Sequence, residues 1–364
     1  MKILYISYLS DIYSQGPNWS VPAGVQAQGE IDDVFWINIS NAIMEHWKLV
    51  PAFHSRIQFK ALKLSLLPSP FDKPDVVVFE GFYNFMYCKF AKVLKHNRIP
   101  YIIIPRGELT EQAQNNRKWL KKRVANLFLF RNFVRKACGI QYLTEKEYKD
   151  SGNNWNKKYC IIPNGFNLPQ RYKSWANRKE QIRAVYIGRM DPYHKGLDLL
   201  IDACERVAVE LRRANFILYL HGPERFGCRE QIKQLISQKG LDDLLIVGEG
   251  VCGDEKIKIL LQSDVFVMTS RFEGHPMGLI EALAYGLPCV VSEGTNMYKE
   301  ILSADAGWGA TNDIESIASA FLQMLNDTSV FATKGYNARL LAKNYSWELI
   351  AKKTTKEYER LLTK

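Results

Sequence analysis

The segment VFVMTSRFEGHPMGLIEALAYGLPCVVSEG, residues 265–294, decides the fold class. It opens with a short apolar run, VFVMTS (265–270), and closes with a second one, PCVVSEG (288–294), and both are typical of buried strands. Between them lie a polar loop and an apolar stretch of helical length that we expect to begin near Met277. Two apolar strands joined by a helix form the repeating unit of parallel α/β folds, so the segment predicts such a sheet.

The same alternation of strand and helix runs outward from this segment through the whole chain. The predicted strands are residues 2–9, 34–39, 75–81, 101–105, 139–144 and 159–164 in the first half, and 182–188, 216–222, 244–249, 265–270 and 288–294 in the second. A polar stretch at 164–181 separates the two series and predicts a linker. We therefore expect an α/β protein with two doubly wound Rossmann-like domains, 1–167 and 168–345, and a terminal helix within 346–364.

The composition is that of a soluble globular protein. Of the 364 residues, 47% are hydrophobic and 24% are charged, which argues against disorder and coiled coil. No apolar run approaches the roughly 18 residues of a membrane span. Asp11 interrupts the apolar start before a signal peptide develops. The seven cysteines are scattered and form no CxxC pair, so we expect reduced thiols and a cytoplasmic protein.

The net charge of +11 is concentrated in the first half of the chain. Residues 1–167 hold 23 basic and 13 acidic side chains, and no acidic residue occurs between Glu111 and Glu145. Within that gap, residues 117–136 (RKWLKKRVANLFLFRNFVRK) predict a basic amphipathic helix. Such a helix suits the anionic inner face of a membrane, and a core helix with a solvated basic face is equally compatible with the pattern. No nucleic-acid-binding signature accompanies the charge, so we expect no nucleic acid partner.

Ligands of open parallel sheets bind beyond the carboxyl ends of the strands, and two loops there carry suitable groups. In VYIGRMDPYHKGLDLLI (185–201), Arg189 follows Gly188, and Lys195 precedes a helix that we expect to begin near Leu197. An arginine and a lysine can stabilise the charge that a nucleoside diphosphate develops as it leaves a sugar, without a metal ion. An ordinary surface loop is the alternative interpretation.

The second loop follows the strand that ends at Thr269-Ser270 and carries Glu273. The free amides at the start of the next helix suit phosphate or sugar oxygens. Glu281 falls on the second turn of that helix among apolar neighbours, where a lone buried carboxylate would be costly without a ligand. We interpret Glu281 as a contact for ribose hydroxyls and Glu273 as a contact for a transferred sugar. A helix-surface glutamate is the alternative for Glu281.

The order of these motifs resembles retaining glycosyltransferases of the GT-B fold, glycosyltransferase family 4. The matching segments are GRMDPYHKGLD (188–198), HGPER (221–225), VGEGVCGDEK (247–256) and residues 263–296, which together cover most of the second half. In the first half, IIPRGELT (103–110), the long basic helix, QYLTEKEY (141–148) and IIPNGFN (161–167) are similar to members that build capsule, O-antigen and exopolysaccharide.

The resemblance implies a role for each motif. Arg189 and Lys195 would hold the donor diphosphate, Glu281 the ribose, and Glu273 with nearby amides the donor sugar. The residues assigned in this way to the donor are Gly188, Gly222, Pro223, Glu249, Val251, Gly274, His275, Pro276, Met277, Gly278 and Glu281, and those assigned to catalysis are Arg189, Lys195 and Glu273. The loops at 222–223 and 249–252 would border the base, and the terminal helix would cross back to the first domain.

The first half departs from the family pattern in two places. Many members have a histidine at the end of an N-terminal strand where this chain has Pro105-Arg106-Gly107-Glu108. The usual glycine-rich loop after the first strand is replaced by GPNWSVPAGVQAQGE (16–30), and the helix that normally follows is not evident. The candidate acceptor contacts are Gly24, Glu80, Tyr83, Arg106 and Glu108, for each of which a core or capping role is equally compatible with the sequence.

A competing motif is GEGVCG (248–253), which matches the GxGxxG fingerprint of dinucleotide-binding folds. It follows a middle strand of the second series rather than the first, and the next strand ends in Ser270-Arg271 instead of an acid, so we do not favour a nicotinamide oxidoreductase. His194 and His275 are given no proton-transfer role. No cluster has metal-ligand spacing, so we expect no metal and no cofactor.

Together these observations predict a retaining, metal-independent glycosyltransferase. The donor would be a nucleotide-sugar, UDP- or GDP-linked, and the acceptor a glycan or lipid-diphosphate oligosaccharide at the inner membrane face. A nucleotide-sugar epimerase on the same fold and a non-catalytic membrane-surface binding protein are the alternatives from other functional classes.

Overall fold

The computed structural model describes residues 1–12, 15–56, 63–115, 119–152, 154–176, 180–224 and 227–363. The chain forms two compact units, one made of Met1–Gly165 with Trp347–Lys364 and the other of Phe166–Ser346. None of the helices in the described ranges combines the length and the apolar character that a membrane span requires.

The first unit is built on a seven-stranded sheet in which every neighbouring pair of strands is parallel. Its strands are β1 (Lys2–Ser7), β2 (Asp33–Asn38), β3 (Phe53–Ser55), β4 (Val76–Glu80), β5 (Tyr101–Ile104), β6 (Gly139–Tyr142) and β7 (Tyr159–Ile161). The order is β3-β2-β1-β4-β5-β6-β7, so the direction of winding reverses between β1 and β4. Ile6 of β1 is paired with Ile37 of β2 on one side and with Phe79 of β4 on the other, and all three side chains are buried.

The chain forms a helix after the first strand, where the sequence showed none, so that expectation was wrong. This helix, α1, spans Pro17–Gly29 and contains Pro22. Pro22 has no N–H to donate to the carbonyl of Asn18, four residues earlier. That carbonyl accepts instead from Trp47 Nε1 and His46 Nε2, both at 2.9 Å. Two side chains of a following segment therefore satisfy the acceptor that the proline leaves open.

Further helices of the first unit lie between β4 and β7 in the described residues. They are α2 (Phe85–His96), α3 (Glu111–Gln114), α4 (Trp119–Ala125), α5 (Arg131–Arg135) and α6 (Glu145–Ser151). The predicted basic helix corresponds to α4 and α5, which are joined by a π-helical turn at Asn126–Phe130. Residues 117 and 118 of that prediction lie outside the described residues.

The second unit is built on a six-stranded sheet, also parallel throughout. Its strands are β8 (Ile182–Ile187), β9 (Phe216–His221), β10 (Leu245–Val247), β11 (Val265–Met268), β12 (Cys289–Ser292) and β13 (Gly307–Ala310). The order is β10-β9-β8-β11-β12-β13, so the winding reverses between β8 and β11. Ligands of doubly wound sheets bind beyond the strand ends at such a reversal, which places a candidate site after β8 and β11.

Helices cover both faces of this second sheet. They are α7 (Leu197–Arg206), α8 (Ala208–Arg213), α9 (Cys228–Gln238), α10 (Gly253–Gln262), α11 (Met277–Ala284), α12 (Tyr298–Ser303), α13 (Ile314–Asn326) and α14 (Phe331–Lys343). The helix that the sequence predicted after Gly196 is thus two helices that meet at Val207. The buried side chains form two apolar clusters, one on each face of the sheet.

The terminal helix, α15 (Trp347–Leu362), belongs to the first unit. Its Tyr358 hydroxyl lies 2.6 Å from Gln141 Oε1 of β6, and its Thr355 hydroxyl lies 2.7 Å from Asp32 Oδ2. The apolar side of the helix, including Ile350 and Tyr358, is buried in the cluster that also contains β1 and β4. The helix therefore completes the core of the first unit.

Candidate functional site

The winding of the second sheet reverses between β8 and β11, and the two loops that follow these strands are packed tightly against each other. Gly196 ends the first loop with φ of 61°, in the left-handed region that favours glycine. A Cβ at this position would lie 2.0 Å from the backbone oxygen of Thr269, at the start of the second loop. Only glycine therefore allows the loop that carries Arg189 and Lys195 to approach the loop that carries Glu273.

Lys195 and Glu273, predicted from separate motifs, form a buried ion pair. Lys195 Nζ is 2.5 Å from Glu273 Oε1, and each side chain is only 11% exposed. The Ser270 hydroxyl donates to the same carboxylate oxygen at 2.6 Å. Burial alone would raise the pKa of Glu273, but the Lys195 ammonium and these hydrogen bonds outweigh it and hold that pKa below its usual range. The carboxylate is therefore ionised at neutral pH.

Arg189 is fixed beside this pair by contacts at both ends of the residue. Its Nη2 lies 2.9 Å from His194 Nδ1, and its backbone oxygen accepts from the Tyr186 hydroxyl at 2.7 Å. The His194 ring stacks on Phe272, with 4.3 Å between the ring centroids. The loop after β8 thus brings two cations, Arg189 and Lys195, to the end of the same strand.

The backbone of residues 270–274 is held by side chains of other segments. Each of its five carbonyl oxygens accepts a hydrogen bond from a side chain, and the donors are Ser292 for Ser270, Asn312 for Arg271, His194 for Phe272, and Asn296 for both Glu273 and Gly274. In the described part of the chain, the amides of residues 272–275, 277 and 278 donate to no protein acceptor. These amides are available for the oxygens of a ligand.

Glu281 lies on the second turn of α11, as predicted, but it is not a lone carboxylate. Its Oε1 is 2.8 Å from Nζ of Lys256, a residue of α10. The premise that Glu281 would be unpaired without a ligand was therefore wrong, because its cation comes from a separate helix. Lys256 also adds a cation to this part of the second unit.

The loops predicted to border the base lie next to the loop of Arg189. A Cβ at Gly222 would lie 1.6 Å from the backbone oxygen of Gly188, and a Cβ at Gly250 would lie 3.1 Å from the backbone nitrogen of Pro223. Arg229 of α9 ties two of these loops together, since it donates to the Gly222 oxygen at 3.1 Å and pairs with Glu249 at 2.5 Å.

The competing GEGVCG motif follows β10, and β10 is the edge strand of the sheet. A dinucleotide fingerprint follows a strand at the reversal of winding, and this motif follows neither β8 nor β11. Val251, which was assigned to the donor, belongs to this loop and lies ahead of α10.

His275, Pro276, Met277 and Gly278 lie at the start of α11, as predicted. Burial lowers the pKa of His275 to about 3, so its ring is neutral at physiological pH. Its centroid is 5.4 Å from that of Tyr345. Gly274 precedes this group, and a Cβ built on it would meet no atom within 4 Å in the described residues.

In the first unit, Glu80 and Arg106 pair with each other. Arg106 Nε donates to Glu80 Oε2 at 2.6 Å, and Arg106 Nη1 lies 3.2 Å from the Ser20 hydroxyl and 3.3 Å from Asn164 Oδ1. These residues line a cavity of about 40 Å³. On this measure a single water molecule needs about 10–15 Å³, so the cavity has room for a few waters. Acceptor binding by Glu80 or Arg106 stays a prediction.

The other three acceptor candidates have structural partners. A Cβ at Gly24 would lie 3.2 Å from the ring of Trp347, so this glycine makes room for α15. Glu108 accepts from the amides of Phe82 and Tyr83, and burial raises its pKa. The Tyr83 hydroxyl lies 2.8 Å from Gln114 Oε1 and 3.0 Å from Asn126 Oδ1. These contacts correspond to the core and capping roles that the sequence left open.

The segment from α4 to α5 exposes large apolar side chains next to its basic ones. We call these five the apolar patch: Trp119, Leu120, Val124, Leu127 and Phe128, which are 46%, 59%, 57%, 66% and 74% exposed. Phe130, Phe133 and Val134 are buried in the core instead. The positive charges are crowded enough that the Lys95 ammonium lowers the pKa of Lys136.

Several residues of the site were not found from the sequence. They are Ser270, Lys256, Arg229, Asn296 and Asn312, together with the contacts of His194. Asn296 gave one local signal, because asparagine tolerates the left-handed conformation that it adopts here with φ of 61°. No group of three or more potential metal ligands occurs among the described residues.

Comparison with known proteins gives a family match and several more distant likenesses. Residues 170–353 match the family described as "Glycosyl transferases group 1". The O-antigen chain mannosyltransferase B of Escherichia coli is 29% identical over 180 residues, which cover 49% of this chain and 46% of that protein. Another curated relative, the uncharacterised glycosyltransferase MJ1607 of Methanocaldococcus jannaschii, is matched over 55% of its length. This chain thus spans about half the length of these relatives.

Two solved structures show the fold over the whole chain. The Anabaena protein Alr3699/HepE in complex with UDP is 16% identical, with a TM-score of 0.76 and coverage of 99% of this chain and 100% of that one. Sucrose-phosphate synthase from Thermosynechococcus elongatus is 17% identical, with a TM-score of 0.72 and full coverage of both chains. These likenesses confirm the predicted α/β fold with two Rossmann-like sheets.

Proposed function

This chain belongs to the glycosyl transferases group 1 family, and from that premise we propose that it transfers a sugar from a nucleotide-sugar to a saccharide acceptor. The observation that carries the proposal is the buried Lys195–Glu273 pair beside Arg189 at the reversal of the second sheet. This arrangement offers two cations for a diphosphate and an ionised carboxylate for sugar hydroxyls, next to unpaired amides.

The two cations would act on the leaving group. As the bond between the sugar and the diphosphate breaks, negative charge builds up on the departing phosphate oxygen. Arg189 presents a planar guanidinium and Lys195 a compact ammonium, and together they stabilise this charge without a metal ion. We also propose that the reaction retains the configuration at the anomeric carbon, as in family 4. The acceptor oxygen attacks on the face that the diphosphate leaves, and the departing oxygen takes the acceptor proton.

Two carboxylates would hold the rest of the donor. Glu281 faces Lys256 at 2.8 Å and keeps a second oxygen for the vicinal hydroxyls of ribose. Glu273 and the amides of Gly274, His275, Met277 and Gly278 would hold the sugar. The loops tied by Arg229 would border the base. A UDP- or GDP-linked donor is proposed, and the UDP complex of the Anabaena protein supports uracil as the first base to test.

The acceptor class is proposed from the relatives and from the surface of the first unit. The E. coli relative is named as an O-antigen chain mannosyltransferase, which supports a glycan or lipid-diphosphate oligosaccharide of surface polysaccharide as acceptor. The apolar patch with its basic neighbours supports a cytoplasmic enzyme that works at the inner face of a membrane.

The donor site is tested by thermal-shift binding of UDP-, GDP-, ADP- and CDP-sugars with EDTA present. We expect one nucleotide class to raise Tm, because a ligand at 100 times its Kd stabilises the folded state by about 2.7 kcal/mol. The Glu281→Gln variant should lose most of that shift, since it keeps the shape of the side chain but not its charge.

The same panel includes NAD and NADP, and it is followed by product analysis with and without acceptor. A shift with NAD or NADP alone would overturn the proposal, as would conversion of the donor without any acceptor, which is the reaction of an epimerase. The absence of any shift would leave the membrane-surface binding protein as the better description.

Membrane binding is tested with the Leu127→Ser/Phe128→Ser double variant. We expect wild-type protein to co-sediment with vesicles that contain anionic phosphatidylglycerol, and the double variant to bind at least about tenfold more weakly, because two exposed apolar side chains are lost. Leu49→Ser is the matched control, since Leu49 is 79% exposed in the first unit but lies outside the patch. Equal binding by wild type and the double variant would reject the patch as the membrane contact.

A further inference from the structure

His194 connects two parts of the candidate site through a single ring. Its Nδ1 is 2.9 Å from Arg189 Nη2, and its Nε2 is 2.8 Å from the backbone oxygen of Phe272. A carbonyl oxygen can only accept a hydrogen bond, so Nε2 carries the ring proton. Nδ1 is then the unprotonated nitrogen and accepts the hydrogen bond that the guanidinium donates. The direction of donation is therefore fixed at both ends of the ring.

This arrangement requires a neutral ring, because a protonated one would direct an N–H at the guanidinium. Burial is the largest influence and lowers the pKa of His194. Glu273 and Asp191 act in the opposite direction, while Lys195 and Arg189 reinforce the lowering. Asp191 also accepts from the His194 amide at 3.0 Å and lies 3.9 Å from Nδ1. The net result is a neutral imidazole with an acceptor facing Arg189.

We propose that His194 is a positioning residue that aims the Arg189 guanidinium at the donor diphosphate and joins it to the loop that carries Glu273. This inference rests on the proposed function, because it assumes that Arg189 binds a diphosphate. Without the ring, a free arginine side chain would sample several rotamers, and only some of them would direct it at the ligand. The histidine thus couples the group that binds the diphosphate to the loop that binds the sugar.

Two substitutions separate this role from simple packing on Phe272. In His194→Gln, the amide nitrogen reaches the position of Nε2 and can still donate to the Phe272 oxygen, but no acceptor is left near Arg189. In His194→Asn, the amide oxygen takes the place of Nδ1 and can accept from the guanidinium. The first variant therefore removes the contact with Arg189, and the second restores it.

The experiment measures Kd for UDP and GDP, and for uridine and guanosine, by calorimetry with wild type, both variants and Arg189→Ala. We expect His194→Gln to weaken binding of the diphosphate by about tenfold or more, because a hydrogen bond to a charged group is lost. Binding of the nucleoside should stay the same, and His194→Asn should recover most of the lost affinity. In the Arg189→Ala background, His194→Gln should have no further effect.

Two results would overturn this inference while leaving the proposed function in place. One is unchanged diphosphate affinity in His194→Gln, and the other is an equal loss for diphosphate and nucleoside that adds to the effect of Arg189→Ala. If wild-type protein binds neither UDP nor GDP, the proposed function itself fails, and the inference fails with it. Melting temperatures of all variants, measured in parallel, identify any loss that comes from unfolding.

Discussion

We expect the Lys195→Ala variant to lose about 100- to 1000-fold in kcat for sugar transfer, the effect of removing one well-placed group that stabilises developing charge. The ammonium lies 2.5 Å from Glu273, and Lys195 belongs to the same loop after β8 that carries Arg189. No other lysine in the loop between Gly188 and Gly196 can replace it. The measurement is steady-state transfer from the donor identified by the binding panel, with radiolabelled sugar.

Removal of Lys195 should also lower stability, because Glu273 is left buried without its cation. Loss of one partner of a buried ion pair costs about 3 kcal/mol or more. The Lys195→Ala/Glu273→Gln double variant removes both charges and should recover most of the loss in Tm while staying inactive. This control separates catalysis from folding. If the folded double variant transfers sugar within tenfold of the wild-type rate, neither side chain has the role proposed here.

A second large effect is expected from Gly222→Ala, this time on folding. The added Cβ would lie 1.6 Å from the backbone oxygen of Gly188, so the ends of β8 and β9 would have to separate. Overpacking usually costs about 1–3 kcal/mol, and a backbone contact this short places the variant near 3 kcal/mol. For a unit of this size the corresponding fall in Tm is roughly 10 °C. Differential scanning calorimetry of the purified variant measures it.

Gly274→Ala is the matched comparison, because its Cβ would meet no described atom within 4 Å. We expect its Tm to stay close to that of wild type, while KM for the donor rises, since the methyl group would enter the space beside the unpaired amides. Equal Tm values for Gly222→Ala and wild type would contradict the packing described here. An unchanged KM in Gly274→Ala would place the sugar elsewhere.

The strand pattern predicted most of the fold, and its errors have physical causes. β13 was missed because its sequence, GWGA, is half glycine. Both glycines are required, since a Cβ at Gly307 would lie 2.0 Å from the Cys289 oxygen and one at Gly309 would lie 2.3 Å from the Tyr298 ring. Because these positions have no space for a side chain, they hold glycine and not the β-branched residues by which a strand is recognised from sequence. β3 was missed because its three residues, FHS, include a single apolar side chain and no β-branched one.

The helix α1 was missed for a different reason. Its two prolines and its glycines weigh against a helix when local preference alone is considered. The contacts that satisfy the open Asn18 carbonyl come from Trp47 and His46, almost thirty residues later. Local sequence patterns carry no information about partners so far along the chain.

The same limit explains what could be predicted of the site. Arg189, Lys195 and Glu273 lie in loops after strands, and Glu281 lies on the second turn of a helix, so their motifs could be found one at a time. Their partners belong to other elements of the second unit. Lys256 reaches Glu281 from another helix. The side chains that hold residues 270–274 come from the last residue of β12 and from the segments after β8, β12 and β13. Pairings of this kind depend on how the elements pack.

The side-chain hydrogen bonds to the five carbonyls of residues 270–274 lower the entropic cost of binding a ligand at this loop. Ordering the backbone of a flexible loop costs about 1–2 kcal/mol of conformational entropy for each residue. In this protein that ordering takes place during folding, because side chains of the same unit already hold the loop. A ligand that reaches the amides meets donors whose directions are set, so little of its binding free energy is lost to loop closure. The loop therefore acts as a rigid receptor and not as a lid.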